Sequence, residues 1–195
     1  MKYCKKNNSK LIHISSTSVY GDQSELVNEN ALKLKPQSPY AKIKLTEEKI
    51  LQSEKKVKFI TLRFGTIAGF SSGMRYHTAV NKFCYQAVMK KNITVWKTAM
   101  NQFRPYLSIN DAFKSIYFVI RKNLFCNEIY NVLSENLTVN NILTMIIRNG
   151  YKIKIKKVNS KIMNQLSYKV DKNKFEKLGI KLNFKIKNDV KNTLK

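Results

Sequence analysis

The spacing of apolar and polar residues along the chain predicts strands and helices in alternation. Short apolar runs with β-branched residues predict strands at residues 11–14, 58–63, 93–96 and 128–133. Apolar residues at helical spacing, or a capped start, predict helices at residues 38–53, 77–90, 111–121 and 138–149. Strands that alternate with helices of this length predict an α/β fold.

Toward the carboxyl end, the apolar runs become shorter and alternate with lysines. Lys and Ile alternate over Tyr151–Val158, which predicts a half-buried strand with one wet face. The tail predicts a short helix, a turn and strand over 179–184, and a final helix. In the helix at 111–121 we expect an apolar face made of Ile116, Val119 and Ile120.

Two strand ends carry groups suited to chemistry. The first strand, Leu11–Ile14, is predicted to be buried and runs into Ser15 and Ser16. The second strand is followed by a glycine- and serine-rich loop over 64–73. Because open α/β sheets bind ligands outside the carboxyl ends of their strands, we expect the functional edge there.

A helix that carries a tyrosine and a lysine follows the first strand. Ser38 and Pro39 predict its start, as an N-cap and a first-turn proline. Tyr40 and Lys44 are four residues apart and therefore share one face, where an ammonium group favours the phenolate. Because lysine and tyrosine are common in this chain, the YxxxK pattern alone is uninformative. Tyr168 and Lys172 repeat it without comparable neighbours and are interpreted as structural.

The net charge of the chain is large, but its distribution gives little information about function. Among 195 residues, 37 Lys+Arg against 12 Asp+Glu give a formal charge of +25. Such an excess is typical of proteins that bind nucleic acid, anionic membranes or anionic substrates. Here the cations are mostly lysines dispersed along the whole length, which favours a solvated basic surface and makes nucleic acid an unfavoured partner. A polyanion site is left open.

The cysteines and hydropathy favour a cytoplasmic protein. Cys4, Cys84 and Cys126 are odd in number and lack metal-ligand spacing, so we expect neither disulfides nor a metal site. His13 and His77 stand alone and are interpreted as structural. With no apolar run long enough for a bilayer and no signal-peptide pattern, we expect no membrane association.

Four segments occur in an order that resembles a known family. They are ISSTSVYG, PQSPYAKIKLTEEKIL, LRFGTIAG and RPYLSINDA, and residues 170–194 resemble the family's closing segment. The chain resembles the extended short-chain dehydrogenase/reductases, specifically the NAD-dependent epimerase/dehydratase family that acts on nucleotide sugars. The resemblance implies the carboxyl-terminal part of a Rossmann-like parallel sheet plus a small α/β substrate-binding domain. It implies a partial Rossmann domain over 1–70 and a substrate domain over 71–195, with residues near 109–133 returning to the sheet.

The resemblance also implies roles for single residues. Tyr40 would be the general acid/base, and Ser16 would bind the sugar hydroxyl or keto oxygen. Lys44 would bind the nicotinamide ribose and lower the pKa of Tyr40, with NAD as cofactor and NADP left open. Phe64 is a further cofactor-binding candidate, and Asn81 and Arg104 match positions that meet the substrate diphosphate.

Other substrate contacts follow more weakly from the resemblance. Arg75 is a weaker candidate of the same kind as Arg104. Ile93–Trp96 resembles the segment beside the nucleotide base, although an ordinary strand explains it equally well.

The sequence departs from the family at three places. Thr17 and Ser18 stand where dehydratases carry an acidic residue, which favours an epimerase or a reductase. Ser108 stands where many members have histidine. None of the six glycines forms the glycine-rich turn that binds a dinucleotide pyrophosphate.

We therefore expect an N-terminally truncated or split nucleotide-sugar epimerase or reductase. The first strand should present an unpaired edge, which predicts a homodimer or a partner chain that carries the glycine-rich half. The alternative is a non-catalytic module that binds nucleotide sugars or other polyanions.

Overall fold

The structure, a computed structural model, describes residues 1–159 and 167–195, and in these ranges helices alternate with strands. The helices are α1 (Lys2–Lys6), α2 (Pro39–Gln52), α3 (Ala79–Val88), α4 (Ile109–Lys122), α5 (Val139–Arg148), α6 (Asn173–Glu176) and α7 (Ile186–Thr193). The strands are β1 (Leu11–Ser16), β2 (Leu26–Val27), β3 (Phe59–Phe64), β4 (Thr66–Ala68), β5 (Ile93–Trp96), β6 (Phe103–Ser108), β7 (Glu128–Val132), β8 (Glu135–Thr138), β9 (Ile155–Val158) and β10 (Lys169–Val170). The predicted α/β class is confirmed.

A parallel sheet of three strands, in the order β1-β3-β7, forms one half of the fold. Its register places Ser16 opposite Phe64, and Phe64 opposite Val132. All three strands therefore end at one edge, the position at which open α/β sheets bind ligands. Helix α4 connects β6 to β7, and its buried Val119 joins the core beside this sheet.

Strand β1 lies at the edge of this sheet, and in the described part of the chain it pairs with β3 alone. The prediction that Leu11–Ile14 is buried is therefore wrong in part. Leu11 and Ile12 are only partly buried and Ile14 is exposed, whereas every residue of β3 is buried. The side chains of β1 are less buried because an edge strand has a neighbouring strand on one side only.

Helix α2 begins where its capping residues predict. The Ser38 side chain accepts a hydrogen bond of 3.1 Å from the backbone amide of Ala41, and Pro39 occupies the first turn. Ala41, Glu48 and Leu51 form the buried face of the helix. This face packs toward β1 and leaves the Tyr40 side of the helix open.

The other half of the fold holds two small sheets, β4-β6-β8 and β5-β9, beside α3, α5 and α7. The three helices pack against one another around a shared apolar core. Fully buried members of that core are Val80, Cys84, Ile93, Ile142, Ile146, Ile186 and Val190. Burial raises the pKa of the Cys84 thiol to about 12, so this cysteine is an inert core residue.

Several sequence predictions for the carboxyl-terminal part of the chain need correction. Residues 179–184 form no strand. The apolar side chains of Ile180 and Leu182 instead pack into the core beside Phe175 from an irregular segment. The strand predicted over Tyr151–Val158 is only β9, with mostly exposed residues.

Helix α4 and its neighbours also differ from expectation. Ile120 is exposed, because the buried face of α4 uses small and polar residues such as Ala112 and Ser115 beside Val119. The pattern missed β6 and β8, and it missed β4 inside the predicted loop over 64–73.

Two buried carboxylates lie where α4 and α7 begin. Asp111 accepts hydrogen bonds from the Ser134 hydroxyl at 2.6 Å and from the Phe184 amide at 3.2 Å. One oxygen of Asp111 and one of Asp189 are buried without a hydrogen-bond partner. Burial raises the pKa of Asp189 to about 6, with a smaller contribution from the negative charge of Asp111. Ionised Asp189 therefore costs folding free energy.

This raised pKa predicts the pH dependence of stability for an Asp189→Asn variant. Because the folded state holds the Asp189 proton more tightly than the unfolded state, the wild type should lose stability as pH rises from about 4 to about 7. The uncharged amide removes this contribution, so the variant should be more stable near pH 7 by roughly 2 kcal/mol. Urea denaturation at several pH values measures the difference. Equal pH slopes in both proteins would contradict the prediction.

Candidate functional site

Hydroxyl groups cluster where β1 ends. The Ser16 Oγ accepts hydrogen bonds from the Ser18 amide at 3.2 Å and from the Ser18 hydroxyl at 2.9 Å. Thr17 is buried and donates to the carbonyl oxygen of Phe64 at 3.3 Å. Ser16 is only half-buried, so its side chain lies at the open edge of the sheet, while Thr17 holds β1 to β3.

Tyr40 and Lys44 lie on one face of α2, as their spacing predicts. The Lys44 Nζ lies 5.9 Å from the centre of the Tyr40 ring. Tyr40 is 52% exposed, so its phenol can reach a ligand. The arrangement places the Lys44 ammonium group near the ring of a solvent-accessible tyrosine.

A carboxylate that the sequence did not single out holds Lys44. Glu47 accepts a hydrogen bond from the Lys44 Nζ at 2.8 Å and contacts the His13 Nε2 at 3.0 Å. Hydrogen bonds from Lys44 and then His13 hold the pKa of Glu47 below its ordinary value. His13 also contacts the Thr61 hydroxyl, which is consistent with its structural interpretation.

A buried ion pair fixes α2 to the sheet. Arg63 on β3 donates to both carboxylate oxygens of Glu48, from Nε at 2.9 Å and from Nη2 at 2.6 Å. The Ser15 hydroxyl on β1 donates to the same carboxylate at 2.5 Å. Glu48 is one turn after Lys44, so this bidentate contact sets the position of the helix face that carries Tyr40.

The network continues along the same face of the sheet to β7. Arg63 donates to the Tyr20 hydroxyl at 2.9 Å, and Tyr20 donates to the Asn131 side chain at 2.9 Å. Burial raises the pKa of Tyr20 to about 12, so this tyrosine stays protonated and acts as a hydrogen-bond donor. The sequence pattern missed Arg63, Glu48 and Tyr20. The available signal was an arginine inside an otherwise apolar strand and a glutamate on the inner face of α2.

A cavity of about 340 Å³ lies between α3, β5 and β6. Its walls combine apolar and aromatic side chains with cations and include no carboxylate. They are formed by Thr66, His77, Thr78, Ala79, Lys82, Phe83, Thr94, Val95, Trp96, Ala99, Gln102, Arg104, Tyr106 and Val139. This composition suits an anionic ligand that has a flat apolar part.

The cavity is close to the hydroxyl cluster. Thr66 lines it and follows Phe64 by two residues, so their Cα atoms are at most about 7 Å apart. Phe64 is directly opposite Ser16 in the sheet. The end of β1 and the cavity therefore share one edge of the molecule.

The structure brings some candidate binding residues to the cavity and leaves others away from it. Arg104 lines it together with Trp96 of the Ile93–Trp96 strand, and so does His77, which the sequence analysis interpreted as structural. Asn81 is buried outside the lining, where it accepts from the Gly69 amide and donates to the Arg75 carbonyl oxygen, both at 3.3 Å. Asn81 thus holds together the two ends of the loop between Gly69 and Arg75.

Further candidates have structural environments. Arg75 is exposed and does not line the cavity, and Phe64 is buried in the core of the sheet. Ser108, at the position where the resembled family often has histidine, caps α4 by accepting from the Asn110 amide. Tyr168 is buried and hydrogen-bonded to Thr17, in accordance with its structural interpretation.

Residues 1–159 and 167–195 contain no helix of the length and apolarity that a bilayer crossing requires. Within the same ranges, His, Cys, Asp and Glu side chains form no group of three that could hold a metal ion.

A parallel sheet with hydroxyls at its edge, a tyrosine–lysine helix and a basic cavity define an α/β protein of the Rossmann-like class. The sequence profile of the NAD dependent epimerase/dehydratase family matches residues 1–132. An uncharacterized UDP-glucose epimerase of Bacillus subtilis (strain 168), YtcB, is 30% identical over 139 residues, which cover 69% of this chain and 43% of that protein. The chain belongs to the NAD-dependent epimerase/dehydratase family.

Solved structures share the fold. UDP-glucuronic acid 4-epimerase from Bacillus cereus superposes with a TM-score of 0.86 at 23% identity, over 99% of this chain and 63% of that one. The dTDP-glucose 4,6-dehydratase DesIV from Streptomyces venezuelae gives 0.87 at 18% identity, over 99% and 61%. The chain thus spans less than half the length of its curated relative and under two thirds of these two structures.

Proposed function

We propose that this chain supplies the proton-transfer site and the substrate pocket of an NAD-dependent nucleotide-sugar epimerase or reductase. One observation carries the proposal. Ser16, at the end of β1, lies at the same sheet edge as a basic, aromatic cavity, and α2 is anchored to that strand with Tyr40 and Lys44 on its open face.

Each residue then has a role that its environment supports. The Ser16 hydroxyl binds the sugar oxygen whose proton is transferred, and the Tyr40 phenol exchanges that proton. Lys44, whose Nζ lies 5.9 Å from the centre of the Tyr40 ring, binds the nicotinamide ribose. In the cavity, the Arg104 guanidinium suits the oxygens of a diphosphate, and Trp96 offers a flat face to a base.

Among the residues that the structure describes, those near Tyr40 fit the nicotinamide end of the cofactor. The half-exposed Tyr40 and the neighbouring Lys44 suit the nicotinamide ribose. A bound nicotinamide cofactor supplies hydride transfer. The printed 195 residues contain no glycine-rich turn for its pyrophosphate. We propose that this turn belongs to a segment or chain that pairs with the open edge of β1, or that a second copy covers this edge.

The hydroxyl cluster favours epimerisation or reduction over elimination of water. Thr17 is buried and bonded to Phe64, and Ser18 donates to Ser16. Neither side chain can supply the carboxylate that a dehydratase uses at this position. A reductase then needs one hydride delivered to the sugar carbon and one proton delivered to its oxygen. An epimerase needs one hydride and one proton removed and then returned, with the hydride returned to the other face of that carbon.

Binding of UDP and dTDP to the isolated chain tests the cavity assignment. We expect Arg104→Gln to weaken UDP binding by roughly tenfold or more, because a charged hydrogen bond to phosphate is lost. Arg148→Gln, on the exposed face of α5, removes the same charge and should leave binding unchanged. Titration calorimetry measures both. Equal losses in the two variants would indicate general attraction to a basic surface, which is the non-catalytic polyanion alternative.

A further inference from the structure

A second concave surface lies along one flank of α4. This groove, of about 550 Å³, lies between the outer face of α4 and the segment after α6. It is lined by Lys114, Tyr117, Phe118, Arg121, Lys122, Gly179, Ile180 and Lys181. Among the described residues, the lining contains four cations and no carboxylate, so an anionic occupant is favoured.

Exposed aromatic rings border this α4 groove. Phe113 and Tyr117 stack at 6.1 Å between ring centres, with an angle of 16° between ring planes. They remain 70% and 54% exposed, and Ile120 on the next turn is exposed as well. Contiguous exposed apolar side chains of this kind mark interaction sites in soluble proteins.

The groove has a defined shape in the fold. Lys114 donates from Nζ to the carbonyl oxygen of Lys181 at 2.7 Å, which joins the two walls. Phe118 packs edge-on against the buried Phe175, with ring centres 6.2 Å apart, and thereby anchors the groove side of α4 in the core. A ligand would therefore meet cations and rings on a rigid helix.

We propose that the α4 groove binds single-stranded nucleic acid. Arg121, Lys122 and Lys181 contact phosphates, and a base stacks on the Tyr117 ring, which is the combination that sequence-tolerant single-strand binding uses. A concave surface with cations on both walls suits a flexible charged strand better than a flat bilayer. The sequence suggested only dispersed lysines, but the fold gathers cations and aromatics here, apart from the nucleotide-sugar cavity.

Removal of the Tyr117 ring tests whether bases stack on it. We expect Tyr117→Leu to weaken binding of a fluorescein-labelled oligouridylate of about twelve nucleotides by roughly tenfold, since stacking on an aromatic ring contributes about 1–3 kcal/mol per base. Tyr85→Leu is the matched control. Tyr85 is a partly exposed tyrosine on α3, and the Lys91 ammonium lies over its ring. Fluorescence anisotropy gives both affinities, and circular dichroism verifies folding.

Paired charge variants keep net charge constant across the comparison. Arg121→Gln with Lys122→Gln should lower the salt dependence of binding by about 1.4 in log–log slope, because two phosphate contacts are lost. Lys90→Gln with Lys91→Gln removes the same charge from exposed positions after α3 and should leave affinity within about twofold. Equal losses in both pairs would overturn the proposal. It would also fail if the wild type bound phosphatidylserine vesicles but not the oligouridylate.

Discussion

Replacement of Arg63 by alanine should destabilise the folded chain by about 3–5 kcal/mol, because it leaves the buried carboxylate of Glu48 without its counter-ion. Both side chains of the pair are almost fully buried. The Tyr20 hydroxyl would also lose the hydrogen bond that it accepts from Arg63. A loss of this size is a large share of the roughly 5–15 kcal/mol that stabilises a domain. Urea denaturation followed by far-ultraviolet circular dichroism measures it.

Two comparisons isolate the cause of that loss. Glu128→Ala breaks an ion pair of similar length, 2.7 Å, between exposed side chains and should cost at most about 1 kcal/mol. The double variant Arg63→Met, Glu48→Leu removes both charges and should be more stable than Arg63→Ala. If the double variant were as unstable as Arg63→Ala, lost packing rather than an uncompensated charge would be the cause.

Replacement of Tyr40 by phenylalanine should abolish most of the turnover that we propose, by about 10²- to 10⁴-fold, because general acid/base catalysis contributes on that scale. The stability should stay within about 0.5 kcal/mol of the wild type, since Tyr40 is exposed. The assay supplies a glycine-rich nucleotide-binding half in trans and follows the sugar-dependent change in nicotinamide fluorescence.

The chain offers a matched control in its second YxxxK pair. Tyr168→Phe removes the hydroxyl of a buried tyrosine that bonds to Thr17, so stability should fall by about 1 kcal/mol while turnover is retained. The two tyrosines should therefore have opposite effects on activity and stability. A Tyr40→Phe enzyme with normal turnover would exclude Tyr40 as the acid/base and leave the family assignment intact.

Local signals predicted the elements that carry the candidate site. Ser38 and Pro39 determine the start of α2 through a hydrogen bond and a fixed backbone angle, both of which are properties of neighbouring residues. The i, i+4 spacing of Tyr40 and Lys44 places them on one face in any helix. These parts of the site need no tertiary contact to be predicted.

Tertiary contacts decided what the pattern missed. Arg63 and Glu48 are buried because each neutralises the other, and single-residue hydropathy contains no such information. Strand β8 pairs with β6, and its residues are mostly half-buried, so it lacks a strong apolar run. Ile120 is exposed because smaller side chains of α4 face the core, which helical spacing alone cannot reveal.

Because the edge of β1 is open, catalysis by the proposed enzyme depends on how a second segment or chain pairs with this strand. Ser16 is on the same strand whose free backbone groups would pair with an incoming segment. Because side chains alternate between the two faces of a strand, a shift of one residue in that pairing would direct the incoming groups to the wrong face of the sheet. Pairing in the correct register would then create the cofactor site opposite Tyr40. A complex paired one residue out of register would be stable but catalytically inactive.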